Sequence, residues 1–221
     1  MLDYKAVIFD LDGTLVNTIN DITNSMNRVL KSMNLPIHDL SKYYYFVGAG
    51  LKELCKRALP EEMKDEKSVL HYRDLFNQDY DQNWNIDSRP YEGISDLLAY
   101  LQASKKSIAV LSNKPDQFCK TMINFYFSEI NFSVIRGNVD NIPPKPHPAG
   151  GKIVLEILGQ KAKDVLFVGD TNIDMQTAKN CGFKAIGAEW GFRTKEELDR
   201  AGADITFKRP KDFLTYLQEK I

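Results

Sequence analysis

Cysteine is scarce in this chain. The 221 residues hold three, Cys55, Cys119 and Cys181, far apart and in no C-x-x-C pair. That argues against a disulfide framework or a cysteine-rich zinc site, and fits a reducing compartment. Charge of one sign is also lacking: 29 Lys and Arg stand against 30 Asp and Glu, a net charge of -1. No basic excess points to nucleic acid, and no like-charge block makes a tail. Long apolar runs are missing as well. No stretch approaches the length of a membrane span. The short apolar run between Asp3 and Asp10 is no signal peptide. The few histidines, His38, His71 and His147, show no ligand spacing. The expectation is a cytoplasmic protein, a monomer or weak homodimer, with neither nucleic acid nor membrane as partner.

What is present is alternation. A hydrophobic content of 43% suffices for one sizeable core, or for a core with a smaller insert. Ala6–Phe9 (AVIF), Ile108–Leu111 (IAVL) and Val165–Val168 (VLFV) read as buried parallel strands. Phe132–Ile135, Lys184–Ile186 and Asp204–Phe207 are weaker candidates. Helical patterns lie between them at Glu92–Ala103, Asp116–Phe127, Ala149–Leu158, Met175–Cys181 and Lys195–Ala201. This order predicts an α/β fold, a doubly wound parallel sheet with helices on both faces.

Residues 17–88 break the rhythm. Ile19, Ile22, Met26, Val29, Leu30 and Met33 form a stripe at helical spacing, which Pro36 ends. No strand is convincing before Arg89-Pro90. The block reads as an inserted helical domain, 17–88, within a core of 1–16 and 89–221. Leu15–Thr18 and Asp87–Tyr91 would be its hinges.

The first strand ends on two acids, Asp10 and Asp12. Residues i and i+2 of a strand face the same way, so these carboxylates repel each other unless something positive compensates. They sit where open α/β sheets bind ligands. Gly13 then permits a tight turn and close approach to a ligand. A solvated strand end is the plainer alternative. A calcium loop fails, because Leu15 and Asp21 occupy its sixth and twelfth positions.

Three further strand ends carry chemistry. GDTNIDM places Asp170 after VLFV and Asp174 four residues on. Thr171 and Asp174 also have capping-box spacing. The calcium-loop reading fails here too, with Met175 and Cys181 at the diagnostic positions. Ser112 and Asn113 follow IAVL. They suit either a helix cap or a phosphate site at a helix N-terminus. Lys145 lies in NIPPKPHPAGG, where flanking prolines restrict the backbone. Each loop has a bland explanation alone. One metal and one phosphate would explain them together.

DLDGT, SNK, KP and GDTNID, in that order across nearly the whole chain, resemble the haloacid dehalogenase-like superfamily of phosphohydrolases. The helical block after the first motif resembles that superfamily's inserted cap over a Rossmann-like core. VGAGL and AEWGFRTKEEL resemble its phosphoglycolate phosphatase-like branch. The resemblance implies roles. Asp10 would be the nucleophile, forming an aspartyl-phosphate. Asp12 would be the general acid and then the base. Mg2+ would be held by Asp10, the Asp12 backbone carbonyl and Asp170. Asp174 would hold the metal's waters or orient Lys145. Gly13, Thr14, Ser112 and the Asn113 backbone would meet the substrate phosphate, and Lys145 would neutralise charge. A dehalogenase would not need Asp12.

Mutases of the superfamily often carry Glu before the fourth-motif aspartate. Gly169 stands there, favouring a phosphatase on a small phosphate ester. Ala49 replaces the histidine of a V-G-H-G form, which leaves the substrate open. Lys52, just after Gly48-x-Gly50, is a candidate contact for a substrate anion, against a solvated helix lysine as the alternative. That glycine pair is no dinucleotide loop, since Glu53 occupies the third position. A sugar phosphomutase, a nucleotidase or pyrophosphatase, and a non-catalytic phosphate-ligand-binding regulator are the alternatives.

Overall fold

The computed structural model describes residues 4–219. Its centre is a six-stranded, fully parallel sheet in the order β5-β4-β1-β6-β7-β8. The strands are β1 (Ala6–Phe9), β4 (Ser107–Pro115), β5 (Val134–Asn138), β6 (Val165–Gly169), β7 (Lys184–Ala188) and β8 (Ile205–Phe207). The chain builds outward from β1 through β4 to β5, then crosses back to β6 on the other side of β1. That reversal creates the crevice in which doubly wound sheets take ligands, at the carboxyl ends of the strands.

The apolar runs lack polar alternation because both faces of each strand are covered. Val7 and Phe9 enter one core with Ile108, Val110, Leu166 and Val168. Helices α5 (Ile94–Ala103), α6 (Asp116–Tyr126) and α10 (Pro210–Glu219) supply Leu97, Met122 and Phe213 to it. Ala6 and Ile8 point the opposite way, into a core with Ala109, Leu111 and Phe167. There α7 (Ala149–Leu158), α8 (Asn172–Cys181) and α9 (Lys195–Ala201) supply Val154, Met175 and Leu198. Burying each such large side chain contributes about 1.5–3 kcal/mol.

Two sequence expectations need correction. β4 does not stop at Leu111 but runs on through Ser112, Asn113 and Lys114. Its pairing with β5 slips after Leu111 and resumes at Pro115 opposite Asn138. Ser112 and Asn113 therefore cap no helix, and α6 starts at Asp116 without a side-chain cap. α10 went unread, because its apolar stripe is short and starts at a proline.

Between β1 and α5 lies a helical segment: α1 (Ile19–Ser32), α2 (Leu40–Phe46), α3 (Leu51–Ala58) and α4 (Glu66–Asn83). Its own apolar core also takes in Phe118 from α6 and Phe192 from the loop after β7. At its two ends, β2 (Val16–Asn17) and β3 (Arg89–Pro90) pair antiparallel. Asp21, 2% exposed, ties the ends together. Its carboxylate accepts from the backbone N–H of Asp87 (3.0 Å) and Ser88 (2.8 Å) and from the Ser88 hydroxyl (2.7 Å). Asp21→Ala leaves the buried Ser88 N–H and hydroxyl unpaired. It should cost about 2–3 kcal/mol, read as a lowered unfolding midpoint in denaturant. A midpoint unchanged by the substitution would show that this junction adds nothing to stability.

Candidate active site

The acids reach one place because four strand ends converge. Asp10 follows β1, and its backbone N–H bonds the Val168 carbonyl of β6 at 2.9 Å. Asp170 follows β6 directly, and Asp174 stands in the first turn of α8. Oxygens of Asp10, Asp170 and Asp174 lie within 4.8 Å of one another, and all three residues are buried. Lys145 enters from the β5–α7 loop. Its Nζ lies 2.6 Å from Asp174 and 3.1 Å from Asp10. Asp174 has two partners. It forms the capping box with Thr171 and pairs with Lys145.

Secondary contacts aim each carboxylate. The Leu11 N–H donates to Asp10 Oδ1 at 2.7 Å. The Thr14 hydroxyl donates to Asp170 Oδ1 at 2.8 Å, and the Phe192 N–H to Oδ2 at 2.9 Å. Thr14 thus serves Asp170 rather than facing the cavity. Gly13, at φ +80, has no room for a side chain, since a Cβ would lie 2.2 Å from Asp170 Oδ2. Gly13→Ala should therefore displace Asp170 and strain the turn, at about 1–3 kcal/mol. Thermal unfolding reads that cost. An unshifted melting temperature would show that Asp170 yields freely.

Burial pushes the Asp10 carboxyl up to about 7; the Lys145 ammonium pulls it down, and Asp174 raises it again. Asp170 is pushed well above the ordinary carboxylate range, first by burial and then by Asp174 and Asp10. Burial alone would depress the Lys145 ammonium, but Asp10 and Asp174 outweigh it and hold it charged. Lys145 thus pairs with two of the three carboxylates, Asp10 and Asp174, and leaves Asp170 to neutral donors. The cluster has oxygen donors and an excess of negative charge, the combination that suits a hard divalent cation.

Asp12 lies apart from that cluster. Its Oδ1 accepts from the Thr18 hydroxyl at 2.8 Å. Its partner cation is Lys114, whose Nζ lies 3.0 Å from Oδ1 and 3.3 Å from Oδ2. Lys114 was missed in the sequence although it stands in SNK. Extending the strand past Leu111 would have exposed it, because period-two alternation puts Ser112 and Lys114 on the same face. Lys114 also donates to the Tyr80 hydroxyl of α4 at 2.9 Å.

Asn113 works through its side chain. Its amide donates to the carbonyls of Gly48 and Lys145, both at 3.0 Å, and its Oδ1 accepts from the Lys145 N–H at 2.7 Å. It thereby clips the lysine loop and the VGAGL loop of the helical segment to β4. A cavity of about 50 Å³ lies between the strand ends and that segment. Asp10, Asp12, Ser112, Asn113 and Lys114 line one side, and Val47, Leu54, Phe76 and Phe118 the other. Lys52 does not line it. It is exposed, on a neighbouring cavity of about 660 Å³ that shares Gly50, Leu51 and Pro115 with the first. Ala49 lines that larger cavity too.

Residues 7–188 match the family described as haloacid dehalogenase-like hydrolase. The chain belongs to that family. Within it the chain is similar to the phosphoglycolate phosphatase branch. It is 29% identical over 217 residues to a phosphoglycolate phosphatase of Aquifex aeolicus, covering 98% of both chains. It is 30% identical over 212 residues to one from Pectobacterium atrosepticum, covering 95% of this chain and 91% of that protein. A crystal structure from Haemophilus somnus 129pt, described as a predicted phosphoglycolate phosphatase, superposes with a TM-score of 0.89 at 29% identity, covering 97% and 98% of the two chains. Among the described residues no helix is long and apolar enough to cross a membrane.

Proposed function

We propose that this chain is an Mg2+-dependent phosphatase. It hydrolyses a small phosphorylated metabolite of the phosphoglycolate kind through an aspartyl-phosphate on Asp10. The observation that carries the reading is the buried set Asp10, Asp170, Asp174 and Lys145, with more acid than its one lysine balances. The residues fit the metal. Asp10, Asp170 and the Asp12 backbone carbonyl would hold it, with Asp174 on its waters. When bound it supplies the positive charge that lets an anionic ester approach carboxylates.

In the first step an Asp10 oxygen attacks phosphorus as the bond to the leaving oxygen breaks. Asp12 delivers a proton to that oxygen. In the second, water attacks the same phosphorus and gives its proton to Asp12. The Asp10–phosphorus bond breaks, releasing inorganic phosphate and restoring Asp10. Lys145, Ser112 and the Asn113 backbone stabilise the phosphoryl oxygens without having to reorganise. Residues 17–88 act as a cap that seats on the strand ends and excludes water.

Hydrolysis rather than mutation suits position 169. A Cβ on Gly169 would lie 2.2 Å from the Asp174 Cβ, so the glutamate that mutases often carry there has no space. Relatives that are phosphoglycolate phosphatases favour a leaving group of two or three carbons. The test is a panel of phosphoglycolate, a sugar 1-phosphate, a nucleoside monophosphate and pyrophosphate, scored as kcat/KM for phosphate release. The smallest ester should rank first. Isomerised sugar phosphate without free phosphate would establish a mutase. Tight binding with no phosphate released from any ester would leave a regulator.

A further inference from the structure

The mechanism above gives the buried Lys114 no role. The Lys114 side chain is 4% exposed and lies between two groups of different origin. On one side is the Asp12 carboxylate, reached at both oxygens. On the other is Tyr80, whose hydroxyl accepts from Nζ at 2.9 Å and whose ring centroid lies 4.5 Å from it. Tyr80 is itself fixed. It is fully buried, stacks on Phe76 at 5.1 Å and meets Phe118 of α6 edge-on at 5.1 Å.

A general acid must lie within hydrogen-bond reach of the atom it protonates. Thr18 holds only Oδ1 of Asp12, which leaves the carboxylate free to swing about its last torsion. Lys114 reaches Oδ1 and Oδ2 together and so sets the plane. An ammonium has three donors and no acceptor, and when buried it must find partners for them. Asp12 and Tyr80 supply them here. Because Tyr80 belongs to the helical segment, lifting that segment would withdraw one partner and leave Lys114 free to move.

We infer that Lys114 is the positioning residue for Asp12, and that Tyr80 makes this positioning depend on the cap being seated. The acid–base group is then complete only over an enclosed substrate. The inference rests on the phosphatase reading and deepens it.

The test compares wild type, Lys114→Met and Tyr80→Phe in the full chain. Three esters are used: ethyl phosphate, phosphoglycolate and p-nitrophenyl phosphate. The first two have strongly basic leaving groups that need a proton; p-nitrophenolate leaves without one. Lys114→Met should lower kcat for ethyl phosphate and phosphoglycolate alike by about 10²-fold, the lower end of what a placed acid contributes. The p-nitrophenol burst, which reports the first step alone, should fall by no more than about threefold, since that step needs no acid. Tyr80→Phe keeps the ring packing but takes an acceptor from a buried ammonium; it should cost about five- to tenfold in kcat on the two alkyl esters, spare the p-nitrophenol burst and lower the melting temperature modestly. It carries the test if Lys114→Met fails to fold.

Losses in the p-nitrophenol burst equal to those in kcat for the two alkyl esters would overturn the inference and assign Lys114 a structural role. A raised KM confined to phosphoglycolate, with ethyl phosphate unaffected, would overturn it in favour of direct binding of the substrate carboxylate. If wild type hydrolyses none of the three, the phosphatase reading itself fails. If wild type hydrolyses them and both variants match it, only the role of Lys114 and Tyr80 is lost.

Discussion

Asp10→Asn is expected to lower phosphate-ester turnover by on the order of 10⁴-fold or more, because it removes the nucleophile of a covalent mechanism. The substitution is nearly isosteric. An Asn oxygen can still accept from the Leu11 N–H, the contact that holds Oδ1 at 2.7 Å. Lys145 keeps its 2.6 Å partner Asp174. One negative charge leaves a cluster whose burial and mutual repulsion already hold Asp10 at about 7. The melting temperature of the metal-free protein should therefore hold or rise while activity vanishes. Phosphate release and thermal unfolding on the same sample read both quantities. Turnover within tenfold of wild type would eliminate the aspartyl-phosphate.

The second large effect concerns the cation. Chelation should bring turnover to background, and Mg2+ should restore it. Stability should follow the same titration, because an ion that binds the folded chain and not the unfolded one adds about 2.7 kcal/mol at a hundredfold excess over Kd. For a chain of this size that corresponds to roughly 5–10 °C. The physical source is the imbalance of Asp10, Asp170 and Asp174 against Lys145 alone. Asp170→Asn should weaken both responses together. Full activity in excess chelator, with no shift in melting temperature on adding Mg2+, would remove the metal from the account.

Much of this was legible along the chain. AVIF, IAVL and VLFV are the central strands β1, β4 and β6 because a strand buried on both faces needs no polar alternation. The acids that follow them could be placed at one edge because parallel strands all end on the same side of a sheet. The pairing of Lys114 with Tyr80 was not legible. Their meeting needs the last turns of α4 brought over the end of β4, 34 residues further on, and no local period encodes that. Phe192 escaped for the same reason. Its N–H bonds Asp170 while its ring packs in the helical segment's core against Tyr44 at 5.8 Å.

Local pattern by itself thus determined the strands of the main sheet, most of the helices, the helical interruption and the placing of Asp10 and Asp170 at strand ends. Each depends on near neighbours in sequence, through period, turn chemistry or strand-end position. The folded chain alone decided which cation serves which acid: Lys145 goes to Asp10 and Asp174, and Lys114 to Asp12. It also decided that a tyrosine of the helical segment completes the second pair. Ion pairs form between groups the fold brings within about 4 Å. Residues 102 and 135 positions apart reach that distance only through the order in which the strands are laid side by side.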